Sequence, residues 1–341
     1  MILRIKPITN PIFSRRPFSS PDYIASHSVW EIPPPTTVAG TLGDALGITI
    51  PTNESSKLLG LDKLSEKLNE KLTEPCGIPF SITGPLLETE GRYFVPIGEG
   101  VFLPVQYDNV KKIAVIGDRN KAKLIHGTER RVGVSLKRGY NQNEEKVGRS
   151  GMHYRYLVSV YEMFENEKKR PVLPNYVYKL TGCQGSGNIQ QKRAIRFGGE
   201  GGIAFLEINR SKEEDSIFSA MFSPLSNLEQ GCYLALSPIP LIPKHGNSSH
   251  ISEVTGLEPF GGPSSVRGIC DERSCKVKVV RMGLGFSEVY KSRRPQILAL
   301  PQGTLLEVSD KHGSNNSKVL KVLYSLGFAS LLKVGDELCQ D

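Results

Sequence analysis

Short apolar runs broken by glycine, proline and charged residues recur along the chain, and most are too brief to make a helix. Strands are expected at Leu3–Ile5, Ile113–Ile116, Tyr156–Tyr161, Tyr176–Leu180, Ile203–Ile208, Cys232–Leu236, Val277–Met282, Ile297–Leu300 and Thr304–Val308. Helical spacing is persuasive in two places. After Pro33-Pro34-Pro35, Thr36 or Thr37 can cap a helix that runs through Val38 to Leu46 and stops at Gly47. From Lys57 to Leu72, Leu61, Leu64, Leu68 and Leu72 fall on one stripe, with Lys and Glu on the other face. That stripe is expected to pack into a core, and Pro75 and Gly77 end the helix.

Three polar segments interrupt this pattern. Lys137 to Arg149 reads as the outer part of a long hairpin, with Lys137 and Arg155 near its base. Lys212 to Asp215 is charged and suits a domain seam, and Lys244 to Pro263 reads as a long Gly/Ser/His-rich loop. The length of 341 residues suggests about two domains. With 38% hydrophobic and 23% charged residues, a packed core is feasible. No apolar run approaches the ~18 residues of a membrane span. Met1 to Pro7 alternates like an opening strand rather than a signal peptide, so a cytoplasmic protein without membrane attachment is expected.

Six cysteines are scattered along the chain. Cys270 and Cys275 lie close together, but no second pair stands at zinc spacing. A local disulfide is one option and idle buried thiols are the default.

Lys and Arg number 43 against 35 Asp and Glu, a formal net charge of +8. The basic residues cluster at Arg15-Arg16, Lys111-Lys112, Arg130-Arg131, Lys137-Arg138, Lys192-Arg193-Arg196 and Arg293-Arg294, mostly beside Gly, Pro or aromatic residues. Cations on loops with stacking partners suit nucleic acid better than a solvated helix face. Two glycine blocks sharpen that reading. Gly198, Gly199, Gly201 and Gly202 surround Glu200 beside Arg193 and Arg196. Gly283 and Gly285 follow Arg281 and precede Lys291, Arg293 and Arg294. Residues without a Cβ let another backbone come close, and free amides with Arg and Lys suit phosphates. A turn that merely packs on a neighbouring strand is the structural alternative.

Enzyme motifs are absent. There is no P-loop, G-x-S-x-G or H-E-x-x-H, and Ile113 to Asp118 has one glycine where a dinucleotide fingerprint needs three. Gly198-Gly199-Glu200 lacks the second acid of a two-metal site. No catalytic residue, metal or other cofactor is expected. His27 is a candidate acid or base for metal-free RNA cleavage, and more simply a hydrogen-bonding or stacking contact.

Four segments together resemble the RAMP superfamily of CRISPR proteins, and within it the third-named subunits of type III-B Cmr complexes. They are Trp30 to Gly40 with Pro17-Phe18 before it, Arg131 to Leu136, Phe197 to Gly202, and Gly283 to Phe286 with Arg293-Arg294 and Leu298 to Gly303. They span nearly the whole chain. The resemblance implies an α+β fold of two ferredoxin-like, RRM-related domains, 1–212 and 213–341, with a hairpin inserted at about 131–160 and glycine-rich loops. It implies a non-catalytic subunit of an RNA-guided antiviral effector. Such a subunit binds the 5′ handle of the crRNA, joins the large polymerase-like subunit to a neighbouring backbone RAMP subunit, and meets target RNA only indirectly. A RAMP endoribonuclease acting on precursor crRNA is the alternative.

A single-stranded handle needs phosphate neutralisation and base stacking. Arg15, Arg16, Arg130, Arg131, Lys137, Arg193, Arg196, Arg281, Lys291, Arg293 and Arg294 are candidates for the first. Trp30, Phe197, Phe286 and His27 are candidates for the second, although Trp30 serves equally as a buried anchor. Thr36 and Thr37 open a helix whose amides suit a phosphate. Paired aromatics of an RRM sheet are lacking, so loops and helix ends are expected to hold the RNA rather than a sheet face.

Overall fold

The computed structural model describes the chain except residues 14–28, 53–55, 74–77, 137–147, 183–191, 200–201, 210–217, 223–224, 226–227, 245–250, 272–273, 310–312, 314–316 and 340–341; in 133–136 and 148–155 it describes the backbone alone. Among these residues strands far outnumber helices, as the short apolar runs require. The main path of the large sheet begins at Lys192–Arg196 and continues through Ile203–Asn209, Ile2–Pro7, Asn175–Thr181, Ser81–Thr89, Arg92–Gly98, Val101–Asp108 and Ile113–Ile116. It then crosses to Leu331–Val334, Gly231–Ala235, Leu305–Val308, Val266–Cys270 and Cys275–Lys276. The crossing is a parallel pairing, Val334 beside Ala114, while the other pairings along this path are antiparallel. A smaller sheet of Val254–Thr255, Ile239–Pro243, Gln296–Leu300 and Val280–Gly283 carries the second glycine block at its edge.

Helix α1 (Pro35–Ala45) and helix α2 (Leu61–Thr73) cover one face of the first part of the sheet. Proline at the first helical position suits α1, because its ring presets φ and its missing N–H had no partner to lose. The cap residue is Pro34, with no side-chain cap, so Thr36 and Thr37 lie within the first turn instead of capping it. Helix α2 starts later than its leucine spacing suggests. Leu59 and Gly60 take φ values of 48° and 95°, and the Gly60 N–H donates to Ser56 Oγ at 2.6 Å, which makes a turn of the preceding residues. The stripe Leu61, Leu64, Leu68 and Leu72 is buried, each side chain contributing about 1.5–3 kcal/mol. A C-terminal helix, Lys318–Ser325, packs beside α2, with Ser65 and Ser325 hydroxyls 2.7 Å apart. Its Leu320 and Leu323 enter the same core as Leu64 and Leu68, so this core draws on both ends of the sequence.

The long hairpin pairs Ala122–Leu136 with Gly148–Glu165, from Ala122 beside Glu165 to Leu136 beside Gly148. It is longer at its base than the expected 131–160. Leu124 and Ile125 pair it with the sheet strand Val101–Asp108. From Thr128 outward Glu129, Arg130 and Val132 are exposed, so the hairpin leaves the core well before its tip.

Among the described residues two disulfides form, one of them the local option at Cys270 and Cys275, where idle thiols are the default. Cys232 bonds Cys339 across 107 residues, and Cys270 bonds Cys275, its direct partner on a hairpin. Cys76 and Cys183 lie outside the described residues.

Candidate nucleic-acid interface

The glycine blocks play different structural parts. In the first, Gly198 has φ 80°, the Gly199 N–H donates to the Ile12 carbonyl at 2.9 Å, and the Gly202 N–H donates to the Gly199 carbonyl at 3.1 Å. A Cβ at Gly198 would fall 2.8 Å from the Ile12 oxygen, and one at Gly202 would fall 2.4 Å from the Phe197 oxygen. The backbone brought close is therefore the chain's own. Phe197, expected to stack on a base, is buried against Phe13 and Tyr176 at ring separations of 5.3 and 5.8 Å. Glu200 and Gly201 lie outside the described residues.

The second block is open. A Cβ at Gly283 would meet nothing within 4 Å. Gly285, at φ 85°, lies under Arg294 Nη1 and Thr36 Oγ1, each 3.8 Å from the position a Cβ would take. Its carbonyl accepts the Arg294 N–H at 2.9 Å, and Phe286-Ser287 then pairs with Ser292-Arg293 as a small hairpin. The first turn of α1 and this hairpin, far apart in sequence, thus meet at one place. Arg294 fastens it: Nε donates to the Leu59 carbonyl at 3.2 Å and Nη1 to the Phe286 carbonyl at 2.9 Å. Burial lowers the pKa of this guanidinium from its ordinary value. Arg294 is accordingly a positioning group rather than a ready phosphate ligand. On the rim Phe286 is 47% exposed, and Lys291 and Arg293 are exposed beside it.

The remaining candidates divide in the same way. Arg193 reaches the last carbonyls of α1, those of Asp44 and Ala45, at 3.4 and 3.5 Å, and so complements the negative end of the helix. Trp30 is buried, its backbone N–H donating to the Phe13 carbonyl at 2.6 Å, and serves as the anchor. Thr36 is buried behind Gly285. Arg196 is exposed at the end of the edge strand, and Arg281 on the smaller sheet. On the hairpin Arg130 is exposed and Arg131 pairs with Glu129 at 3.2 Å. Arg15, Arg16, His27 and Lys137 lie outside the described residues. Among the described residues no group of three or more His, Cys, Asp or Glu could hold a metal ion, and no helix is long and apolar enough to cross a membrane.

Sequence reasoning missed two contributors. Leu59 acts through a backbone carbonyl, which no side-chain pattern reveals. Gln302, in the expected Leu298 to Gly303 segment, donates to Glu31 at 2.8 Å and ties that segment to the residues before α1.

The structure establishes a mixed α+β, strand-dominated fold in which glycines and basic residues lie where the start of α1 meets a small hairpin, and comparison with known proteins narrows it. No protein-family model matches the chain. The chain is 25% identical over 325 residues to the CRISPR system CMR subunit Cmr3 of Saccharolobus solfataricus (strain P2), covering 89% of this chain and 85% of that protein. Its fold is similar to a chain of the type III-B Cmr-beta complex bound to cognate target RNA and AMPPnP, with TM-score 0.60, 19% identity, and 100% and 97% of the two chains covered. A second Cmr-beta structure bound to cognate target RNA gives TM-score 0.59 at 18% identity over the same shares. The resemblance to RAMP-like Cmr subunits stated from the sequence holds on these comparisons.

Proposed function

We propose that this chain is a non-catalytic subunit of a type III-B CRISPR effector complex. The similarity to Cmr3 along nearly the whole chain supports that assignment. In this reading it binds the 5′ handle of the crRNA and bridges the large polymerase-like subunit to the backbone subunits, with two ferredoxin-like units at 1–212 and 213–341 and action in the cytoplasm. The observation that carries RNA binding is the meeting of the α1 N-terminal turn with the open Gly283–Gly285 hairpin. Arg293 and Lys291, the latter beside Glu288 at 3.1 Å, offer exposed cations, and Phe286 offers a stacking face.

Arg293→Glu is expected to weaken handle RNA binding about ten-fold at low salt, and to reduce the dependence of log affinity on log salt by about 1. Its far-ultraviolet circular dichroism should not change, because Arg293 is exposed. Titration of labelled handle RNA at several salt concentrations measures both. Parent-like binding by Arg293→Glu and Lys291→Glu together would overturn this placement of the RNA.

A further inference from the structure

The outer face of the sheet, opposite α1 and α2, carries an aromatic-basic patch at its first edge. Strand Ile203–Asn209 turns Ala204, Leu206 and Ile208 into the core and leaves Ile203 and Phe205 on the other side, 45% and 37% exposed. Ile8, 51% exposed, adjoins them: its N–H donates to the Ile203 carbonyl at 2.9 Å. Register sets Ala194 and Lys6 on either side of Phe205, and Arg196 beside Ile203. Ala194 has only a methyl group, so the ring is not walled in toward the edge. Lys192 Nζ stands 5.5 Å from the Phe205 ring centroid. Glu207 pairs with Lys6 at 2.7 Å and also stands across the ladder from Lys192, so the exposed cations of the patch are Lys192, with a carboxylate beside it, and Arg196.

We infer that this patch is a second contact for single-stranded RNA, with Phe205 stacking on a base and Lys192 and Arg196 taking adjacent phosphates. The inference rests on the RNA-binding reading above and adds to it a sheet face, where sequence reasoning expected only loops and helix ends. Stacking on an aromatic ring is stronger than an exposed contact between an ammonium and a phenyl ring. A base therefore displaces Lys192 from Phe205, and the released ammonium is already within reach of that nucleotide's phosphate. A protein partner suits the patch less well. Its apolar part is three half-exposed side chains, whereas protein interfaces use broader apolar centres with few charges. Helix α1 links the two contacts: its first turn forms the Gly285 cleft, and Arg193 of the edge strand holds its last carbonyls.

The test uses the full chain with two fluorescent probes of about ten nucleotides, a single-stranded oligouridylate and an abasic oligomer of equal length. Phe205→Ala is expected to lower affinity for oligouridylate about ten-fold and to leave the abasic oligomer unaffected. Phe205→Tyr should bind both as the parent does. If Phe205→Ala binds oligouridylate like the parent while Arg293→Glu does not, the sheet-face contact is overturned and the cleft reading stands. If Phe205→Ala instead loses only co-assembly with other subunits, the patch belongs to a protein interface and the inference likewise falls. If the parent binds neither oligomer at low salt, the RNA-binding reading fails and takes this inference with it.

Discussion

Gly198→Ala is expected to lower the unfolding free energy by about 2–4 kcal/mol, although the residue is exposed and lies in a loop. Two costs combine. A φ of 80° costs a residue with a Cβ about 1–2 kcal/mol. The new methyl also arrives 2.8 Å from the Ile12 carbonyl oxygen, a backbone atom that cannot rotate away. Moving Ile12 disturbs its bond from the Gly199 N–H, worth about 1 kcal/mol more. Urea unfolding measures the loss. Gly40→Ala is the control: Gly40 lies inside α1, a Cβ there meets nothing within 4 Å, and stability should rise by about 0.5–1 kcal/mol. Gly283→Ala supplies the contrast. It should stay within about 0.5 kcal/mol of the parent in stability, because a Cβ there meets nothing within 4 Å, and on the proposed placement of the RNA it should weaken RNA binding. Equal stability of Gly198→Ala and the parent would refute the structural role assigned to the first block.

The contrast also shows why the two blocks looked alike in sequence. Both are glycines beside arginines, and composition reports neither which backbone comes close nor from where. Whether that backbone is Ile12 or a ligand depends on a pairing almost two hundred residues distant. Local features were far more legible. The leucine stripe of α2 is buried as its spacing requires, and Ile113–Ile116 is a strand with the expected bounds. The C-terminal helix escaped notice although its signals are present: Ser317 caps it, accepting the Leu320 N–H at 3.5 Å, and Leu320 and Leu323 share a face. Phe205 escaped for a different reason. Ile203 to Ile208 is nearly continuous in apolar residues, so period-two reading cannot tell the inner face from the outer, and Glu207 is the single polar clue. Basic residues were identified by type, but their division into structural and available groups depends on carbonyls at helix ends and turns. Arg193 and Arg294 are taken up by such carbonyls; Arg196 is exposed on the edge strand.

Removing the Cys232–Cys339 bond should have the largest effect of any change considered. Closing a 107-residue loop restricts the unfolded chain by about 4–5 kcal/mol in the chain-entropy account, whereas the five-residue separation of Cys270 and Cys275 gives about 2 kcal/mol. The long bond also sits where the two parts of the sheet join. Cys232 lies in the strand Gly231–Ala235, between Leu305–Val308 and Leu331–Val334, and its N–H donates to Asp336 Oδ1 at 3.2 Å. Leu331–Val334 is the strand that reaches across to Ile113–Ile116. Cys232→Ala with Cys339→Ala should therefore lower the thermal midpoint well below that of Cys270→Ala with Cys275→Ala. Amide exchange should quicken first in Ile113–Ile116 and Leu331–Val334, because the sheet ladder crosses the seam by one short parallel pairing. The parent treated with reductant should follow the Cys232 and Cys339 variant. If instead the parent, denatured without reductant, shows these four cysteines as titratable thiols, the bonds are not formed. The sheet seam would then depend on the Val334–Ala114 pairing and on the core that holds Leu332, Val334 and Ala114.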